Sequence, residues 1–443
     1  MTVPLHTHFS WRSNTDGELL AGTIPISSIA ERHGTPLFVY DRDIIAAQYE
    51  ALRQTLPERF SVFYSVKANP NPAILEYFLS EGCGLEIAST GELSLASLAG
   101  CAPEDILYAG PGKSESELES AIATRVGEIH AESPLEVQRI SRISRRLGGR
   151  GPVALRINPA AEAQGGAMRM GGLSAPFGVD EEDAEALVLR IVKDPDLKFC
   201  GLHFFSGTQI LDHNVLLAQY RKALAVAQRI SETTNCSLET IDFGGGWGVP
   251  YFPSDRTLDL HALKHGLRQL VEEVEKEPRL AGSRFIVEPG RFLVADAGLY
   301  VARVSDIKVS RGKKYLILDG GMNHHLAASG NLGQVIKRNF PIAVANRMRS
   351  SDMEVVDVVG PLCTPLDTLG RSVELARAEV GDLVAVFRSG AYCRSASPLG
   401  FLSHPTPPEI LIEDGQDRVI RRRGVPDDLV RDIQLARALQ STA

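Results

Sequence analysis

The sequence predicts an α/β fold, a TIM-like (β/α)8 barrel followed by a C-terminal all-β domain. Two patterns support it: eight helix-and-strand units follow one another from about residue 41, and short strands separated by turns replace them after about residue 297. Strands that alternate with helices form a parallel sheet, and eight such strands close into a barrel. A chain of 443 residues is long enough for this barrel and a second, smaller domain.

The barrel units are recognised by the period of their apolar residues. The first helix begins after Asp41, a residue type that caps helix N-termini, and its apolar face ends at Pro57. Each unit contains one short apolar run that ends in glycine, polar or charged residues, which we predict to be a buried strand. The predicted barrel strands are 61–66, 85–88, 106–109, 128–131, 153–157, 199–204, 238–243 and 285–287.

The C-terminal third has a different pattern. Its strand-like segments are short and are separated by glycine, proline and aspartate, which is typical of all-β domains. The first 40 residues contain no barrel unit, and we expect them to pack with this domain. The predicted domains are 1–40 for the N-terminal segment, 41–297 for the barrel and 298–443 for the β domain, with strands at 300–309, 314–319, 353–359, 383–388 and 409–412.

Composition and charge exclude several classes of function. The net charge of −8 is spread along the chain without a basic block, which argues against nucleic acids and anionic membranes as partners. The six cysteines form no CxxC pair, as expected in a reducing cytoplasm. We expect no signal peptide in residues 1–12 and no membrane span, since no run approaches the ~18 apolar residues that a span needs. A cytoplasmic protein is therefore expected.

Chemistry in such barrels is located at the C-terminal ends of the strands. Lys67 follows the first predicted strand, so we expect it to emerge from an apolar strand into the barrel mouth. Partial desolvation there would lower the pKa of its amine and favour the neutral form that reacts with a carbonyl group. The alternative is a surface lysine, and the residues after the last two strands decide between the two interpretations.

The residues after the seventh and eighth strands predict a phosphate site. Gly244, Gly245 and Gly246 leave bare backbone N–H groups, and the loops after these two strands are the usual phosphate site of such barrels. Arg291 adds a positive charge on the neighbouring loop. Glu288 ends the eighth strand. For a cofactor that contains a pyridine ring, a carboxylate at this position can hold the ring nitrogen protonated. The alternative interpretation of Glu288 is an ion pair with Arg291.

Five motifs occur in a fixed order along the chain. They are Ser-Val-Lys-Ala-Asn at 65–69, Gly-Gly-Gly-Trp-Gly at 244–248, Glu-Pro-Gly-Arg at 288–291, Gly-Pro-Leu-Cys at 360–363 and Gly-Ala-Tyr at 390–392. Together they resemble the fold-type III decarboxylases that use pyridoxal 5'-phosphate (PLP), a group that includes the diaminopimelate, ornithine and arginine decarboxylases. The resemblance covers about residues 36–412.

The resemblance implies PLP as the cofactor and a role for each matched residue. Lys67 would be the Schiff-base lysine and Glu288 the partner of the pyridine nitrogen. Tyr392 would contact the cofactor, and Cys363 would reach the partner subunit's site and reprotonate the decarboxylated carbon. The phosphate would be held by Gly244, Gly245, Gly246, Thr208 and Arg291. Such family members are homodimers with shared active sites and a β domain after the barrel.

One departure from the family concerns the ring that stacks on the cofactor. The family commonly has a histidine there, and this sequence has Phe205, whose aromatic ring can also stack. His203 lies two residues earlier, on the same face of the strand. His203 either contacts the residues that bind the ligand, without contacting the ligand itself, or is a hydrogen-bonded histidine of the core. We favour the core histidine.

A second departure concerns the distal group of the substrate. Where diaminopimelate and ornithine decarboxylases have an acidic residue after the catalytic cysteine, this sequence has Thr364, with Asp367 three residues further on. His324 and His325 occupy the segment where an arginine is expected; we expect His324 near the substrate and no shared metal, because adjacent strand residues point to opposite faces. These features are similar to a secondary-metabolism subgroup that includes the butirosin-pathway decarboxylase of glutamate held on an acyl carrier protein.

Three alternatives stay open beside a decarboxylase of an amino acid or of a carrier-tethered or capped amino-acyl group. The first is a diaminopimelate decarboxylase of lysine biosynthesis. The second is a PLP racemase; Glu288 and Cys363 speak against it, because racemases of that type usually place an arginine at the pyridine nitrogen and use a tyrosine as second base. The third is a silent regulatory homologue, which would be expected to have lost the lysine, the phosphate loop or the cysteine.

Overall fold

The computed structural model describes residues 10–160, 168–169, 174–205, 207–252, 254–332, 334 and 337–433, with the backbone alone at 168–169. The chain divides into two compact units. The barrel unit comprises Ala46–Val294, and the β unit comprises the described parts of Met1–Ile45 and Ala295–Ala443.

Eight parallel strands form a closed barrel, so the predicted (β/α)8 architecture is confirmed. Each strand pairs in parallel with the next one, and the ring closes where Phe285 of the eighth strand pairs with Phe60 of the first. The barrel strands, numbered first to eighth, are Phe60–Ser65, Gly84–Ile87, Ile106–Tyr108, Glu128–Ala131, Gly151–Asn158, Leu197–Phe204, Thr240–Asp242 and Arg284–Val287.

Helices connect the barrel strands, and most begin at a capping side chain. Asp41 Oδ1 accepts hydrogen bonds from the backbone N–H groups of Asp43 and Ile44, as its position before the first helix predicts. Within the described residues no helix is both long and apolar enough to cross a membrane. The main helices are Arg42–Thr55, Pro72–Ser80, Thr90–Leu98, Glu115–Thr124, Pro134–Leu147, Glu181–Lys193, His213–Thr234 and Leu260–Val274.

Gly201 allows the sixth and seventh strands to approach closely. A Cβ at this position would lie 1.9 Å from the carbonyl oxygen of Thr240. We expect Gly201→Ala to lower the free energy of unfolding by about 3 kcal/mol, because the sixth and seventh strands must move apart to make room for the methyl group. Urea unfolding of both variants checks this, with Gly149→Ala as the control because no atom lies within 4 Å of its Cβ position. Equal midpoints for the two variants would contradict the expectation.

The β unit is built mainly from strands, which confirms the prediction of a β-rich C-terminal region. Its main sheet includes Leu37–Asp41, which pairs antiparallel with Gly298–Ser310 and parallel with Glu409–Glu413. Polar strands such as Gln416–Arg421 were not predicted, because they lack the alternation of apolar and polar residues on which the prediction depended. The strands after residue 297 are Gly298–Ser310, Lys313–Leu318, Ile342–Val344, Met353–Val359, Thr368–Ala376, Leu383–Val386, Glu409–Glu413 and Gln416–Arg421.

Candidate active site

Lys67 lies at the C-terminal end of the first barrel strand, in the short 3-10 turn Val66–Ala68. Its Nζ is 3.0 Å from both carboxylate oxygens of the buried Glu86 on the second strand. The Lys67 side chain is 45% exposed, so the expected desolvation of its amine is wrong. The contact with Glu86 fixes the direction of the Lys67 side chain.

The three glycines after the seventh strand form a loop whose backbone conformation residues with a side chain could not adopt. Gly244 and Gly246 have φ angles of +67° and +102°. A Cβ at Gly244 would lie 2.7 Å from the carbonyl oxygen of Phe204, and one at Gly245 would lie 2.6 Å from that of Glu288. The loop therefore keeps a bare backbone that a small anion can approach closely, as a phosphate site requires.

Phe205 packs against this glycine loop. A Cβ at Gly244 would lie 2.9 Å from Cδ2 of the Phe205 ring. The Arg156 guanidinium lies 5.8 Å from the centre of the same ring and is held by Glu132, with 2.8 Å between Arg156 Nη1 and Glu132 Oε1. The half-buried ring is therefore fixed beside the predicted phosphate site.

Thr208 and Arg291, the other two predicted phosphate ligands, lie in two further segments of the barrel unit. Thr208 lies in the short strand Gly207–Thr208, and two residues later the N–H of Ile210 donates to the carbonyl of Gly246 at 2.9 Å. Arg291 is half-buried and donates from Nη1 to the Tyr251 hydroxyl at 3.0 Å. The structure thus places the Gly207–Ile210 segment beside the glycine loop and Arg291 beside Tyr251. A shared phosphate site stays a prediction.

Glu288 belongs to a buried polar cluster inside the barrel, which also contains Glu128, His130, His203 and Asp242. Its Oε2 lies 3.5 Å from His203 Nε2 and its Oε1 lies 3.9 Å from His130 Nδ1, so it faces the imidazoles rather than Arg291. Among the described residues, Glu288 Oε1, Asp242 Oδ2 and all four imidazole nitrogens have no hydrogen-bond partner. This cluster is the largest set of buried groups with unmet hydrogen bonds in the described barrel.

Burial and mutual charge shift the pKa values in this cluster. Burial lowers the pKa of His203 to about 4, although Glu288 opposes the shift. Burial and the nearby Glu288 raise the pKa of Asp242 well above its usual range. Burial also acts to raise the pKa of Glu288, but the imidazoles and Lys67 outweigh it and hold that pKa below its ordinary value. Of Glu288 and Asp242, Glu288 is therefore the carboxylate that stays ionised.

His203 differs from the hydrogen-bonded core histidine that we favoured. It is buried, but neither ring nitrogen forms a hydrogen bond within the part of the chain that the structure describes. His130 and Asp242 were missed, because the search for site residues began just beyond each strand end. The signal was available: Glu128 and His130 alternate within the fourth strand, and charged residues are unusual in buried parallel strands.

Cys363, Thr364 and Tyr392 lie in the β unit. Cys363 is exposed and Thr364 is half-buried, within an irregular loop of residues 360–367. Tyr392 is half-buried and has a φ angle of +61°, which is uncommon for a residue with a side chain. The contact of Tyr392 with the cofactor stays a prediction.

Asp367 is a structural residue, so its expected contact with the substrate is wrong. Its carboxylate accepts hydrogen bonds from the N–H groups of Met322 at 2.6 Å and Leu362 at 2.8 Å. The carboxylate is enclosed by Gly321 and Gly360, where a Cβ would lie 2.2 and 2.3 Å from its oxygens. It therefore joins two loops and is not open to an ammonium group.

His324 and His325 are also structural, and the expected contact of His324 with the substrate is wrong. His324 is buried, with Nδ1 3.2 Å from the Tyr300 hydroxyl and Nε2 3.1 Å from Asn323 Nδ2. His325 Nδ1 accepts from the N–H of Ala328 at 3.0 Å. Neither histidine lies on a strand, so the argument from strand alternation does not apply.

Comparisons with known proteins match both the barrel unit and most of the length of the chain. Residues 42–295 match the family model described as the pyridoxal binding domain of pyridoxal-dependent decarboxylases. The L-glutamyl-[BtrI acyl-carrier protein] decarboxylase of Niallia circulans is 38% identical over 91% of this chain and 95% of its own length. The diaminopimelate decarboxylase of Aquifex aeolicus is 32% identical over 94% of this chain and 95% of its own length.

Solved structures show the same fold. The crystal structure of diaminopimelate decarboxylase from M. jannaschi superposes with a TM-score of 0.88 at 26% sequence identity. The superposition covers 97% of this chain and 98% of that one. The similarity therefore extends over both the barrel and the β-rich region.

Proposed function

The chain belongs to the pyridoxal-dependent decarboxylases, and from this premise we propose that it acts on an amino-acyl group whose distal end is capped or tethered to an acyl carrier protein. As a member of this family it is a PLP-dependent decarboxylase. We place its reaction in secondary metabolism, which is supported by the similarity to the carrier-protein decarboxylase.

The observation that carries the substrate proposal is the loop of residues 360–367. Thr364 follows Cys363, and the carboxylate of Asp367 is occupied by backbone N–H groups. A pocket for a cationic distal group needs an opposite charge, because an unpaired buried ammonium costs several kcal/mol. Thr364 can form a hydrogen bond but cannot neutralise a charge, so a neutral or tethered distal group fits it better.

The residues at the barrel mouth fit PLP. We assign the phosphate to the bare backbone of Gly244–Gly246 with Arg291 and Thr208. We assign the ring nitrogen to Glu288, which the imidazoles and Lys67 keep ionised against the effect of burial. Phe205 would stack on the ring, and Tyr392 would contact the cofactor. When bound, PLP supplies an electron sink that stabilises the negative charge left on the substrate as carbon dioxide leaves.

Two residues of the chain would take part in the reaction directly: Lys67 by a covalent bond to the cofactor, and Cys363 by proton transfer. We propose that Lys67 holds the cofactor through its amine and that Glu86 orients this amine at 3.0 Å. Cys363 is an exposed thiol that can donate a proton to the carbon atom after decarboxylation. We further propose a cytoplasmic homodimer in which each site receives Cys363 from the partner subunit; the six free cysteines support a reducing compartment.

Subunit mixing tests the shared site. Lys67→Ala and Cys363→Ala dimers are each expected to be nearly inactive. Random exchange between them should restore about a quarter of the wild-type activity, because half of the dimers are hybrids and each hybrid has one intact site. Each variant taken alone through the same exchange is the control. If a tagged hybrid is isolated and has no activity, shared sites are excluded.

Carbon dioxide release from a panel of substrates tests the substrate proposal. The panel contains free diaminopimelate, ornithine, lysine, arginine and glutamate, and glutamate attached to an acyl carrier protein. We expect the tethered substrate to be preferred and kcat/KM for the free diamines to stay below ~10⁴ M⁻¹s⁻¹, the lower limit usual for an enzyme's own substrate. A higher value on diaminopimelate would favour a diaminopimelate decarboxylase instead.

Thr364→Glu is the matched variant for this test. It introduces the distal charge that the wild-type loop lacks, so activity on free cationic substrates should rise relative to the tethered substrate. Thr364→Val is the control, because it removes the hydroxyl without adding a charge. A rise of equal size in both variants would contradict the role of charge at this position.

A further inference from the structure

The ring of Phe205 has no polar atom through which a hydrogen bond could hold it in one orientation. An imidazole at this position could be fixed through either ring nitrogen, whereas a phenyl ring depends on its neighbours. The edge of the ring with Cδ2 and Cε2 lies against Gly244 and Gly245, which have no side chains to confine it. The orientation of this half-buried ring therefore depends on its other neighbours.

Arg156 is a charged neighbour of this ring. Its guanidinium carbon lies 5.8 Å from the centre of the Phe205 ring and 5.1 Å from the centre of the Phe177 ring. Both distances are within the ~6 Å over which a cation attracts an aromatic ring. The Arg156 side chain is only 8% exposed, so water screens its charge little and the attraction is stronger than at a protein surface.

Glu132, which directly follows the fourth strand, holds the guanidinium of Arg156 in place. Its Oε1 accepts hydrogen bonds from Arg156 Nη1 at 2.8 Å and from the N–H of Gly110 at 3.0 Å, and its Oε2 accepts from the N–H of Gly178 at 3.0 Å. Burial acts to raise the pKa of Glu132, but Arg156 and the N–H of Gly178 hold that pKa below its ordinary value. An ionised carboxylate therefore makes a charge-assisted hydrogen bond to Arg156.

The same carboxylate also fixes the segment that carries the second ring. Gly178, whose N–H donates to Glu132, directly follows Phe177. The next two residues, Val179–Asp180, pair in parallel with the end of the fifth strand. The guanidinium of Arg156 is thus confined by a carboxylate and by a ring whose backbone is tied to the barrel.

A purely structural role is the alternative for Arg156. The loop after the third strand is, however, already joined to the fourth strand and its helix by another buried ion pair. Lys113 Nζ lies 2.7 Å from Glu136 Oε1 and donates to the carbonyls of Gly110 and His130, each at 2.8 Å. What distinguishes Arg156 from Lys113 is that it approaches the ring that lies against the glycine loop.

We propose that Arg156 is a positioning residue: held by Glu132, it keeps the Phe205 ring in the orientation in which that ring stacks on the cofactor. This inference rests on the proposed function for the part that concerns the cofactor. The contact between Arg156 and Phe205 exists without the cofactor, so its effect on the ring is also measured without it.

Cofactor affinity in a double-mutant cycle tests this role. Arg156→Met should weaken the binding of PLP to the cofactor-free protein by about tenfold, and it should reduce the circular dichroism of the bound cofactor, which depends on a fixed orientation. Phe205→Leu should weaken binding to a similar extent. Adding Arg156→Met to Phe205→Leu should change the affinity by less than about twofold, because the ring on which Arg156 acts is gone.

Arg59→Met is the matched control. The guanidinium of Arg59 also lies near an aromatic ring, 4.4 Å from the centre of Phe285, and it donates to the carbonyl of Ser283 at 2.8 Å. Arg59 directly precedes the first strand, at the end of the barrel that carries no chemistry. This variant should lose stability but bind PLP as the wild type does.

A second variant is available if Arg156→Met does not fold. Combining it with Glu132→Gln leaves no buried charge without a partner, and this combination then takes the place of Arg156→Met in the cycle. Crystal structures of the cofactor-free wild type and of the same variant give a second readout. The Phe205 ring should be ordered in the wild type and turned or disordered in the variant.

Four results would overturn the inference: unchanged PLP affinity in the Arg156 variant, an equal loss of affinity in the wild-type and Phe205→Leu backgrounds, an equal loss in Arg59→Met, or a Phe205 ring in the same position in both crystal structures. Failure of the wild-type protein to bind PLP would instead overturn the proposed function. The crystal structures would then still decide whether Arg156 positions the ring, so the two failures are distinguishable.

Discussion

Replacing Lys67 with alanine is expected to lower kcat/KM for decarboxylation by about 10⁴-fold or more, because the amine that holds the cofactor is lost. The yellow colour of the bound cofactor should disappear with it. Lys67→Arg keeps the positive charge toward Glu86 and should be equally inactive, which separates the covalent role of the amine from its ion pair. Steady-state kinetics and absorption spectra measure both effects.

The control is Lys198→Ala. Lys198 also forms an ion pair with a glutamate, Glu239, at 2.7 Å, but it lies near the N-terminal end of the sixth strand, where barrels carry no chemistry. It should retain wild-type activity and colour. Borohydride reduction followed by peptide mapping should place the cofactor on Lys67, and label on any other lysine would refute the assignment.

Acid should destabilise the β unit strongly through its buried histidines. Burial lowers the pKa of His324 to about 4 and of His325 to about 3, against about 6.5 in an unfolded chain. Between pH 6.5 and these values the unfolded chain binds protons that the folded chain does not, so stability falls as pH falls. Each histidine should cost about 2 kcal/mol between pH 7 and pH 5.

His325→Asn isolates one of these contributions. The amide oxygen can still accept from the N–H of Ala328, but the side chain no longer titrates. The wild-type protein should therefore lose about 2 kcal/mol more than the variant between pH 7 and pH 5. Carboxyl groups such as Asp296, whose pKa is raised by burial, contribute in the opposite direction but equally in both proteins.

Urea unfolding at the two pH values measures this difference. Trp11, which donates to the carbonyl of Asp296, reports on the β unit, and Trp247→Phe removes the other tryptophan of the chain. His265→Asn is the control, because the side chain of His265 is exposed. If the difference in the free energy of unfolding between wild type and His325→Asn is the same at pH 7 and pH 5, the prediction is wrong.

The barrel was predictable because its signals are local. Each buried parallel strand appears in the sequence as a short apolar run, and every predicted barrel strand overlaps the observed one. Gly244–Gly246 and Lys67 were found because barrels place their chemistry at known strand ends. These features depend on sequence neighbours and on one general rule of the fold.

Features that depend on distant contacts were not predictable. Asp367 was interpreted as a free carboxylate because its partners, the N–H groups of Met322 and Leu362, become neighbours only in the folded chain. The same applies to His130, whose two nitrogens lie within 4 Å of the carboxylates of Glu128, Asp242 and Glu288. The sequence identifies such groups, but only the fold shows whether their hydrogen bonds are met.

The position of Leu37–Asp41 between Gly298–Ser310 and Glu409–Glu413 has a consequence for synthesis on the ribosome. About 370 residues separate this strand from its later neighbour, which corresponds to about 20 to 70 s of translation at 5–20 residues per second. Ala46–Val294 is continuous and can fold during this interval, whereas the N-terminal strand must wait with unpaired edges. The nascent chain therefore exposes an apolar edge for most of its elongation, and this is the period in which a chaperone would be needed.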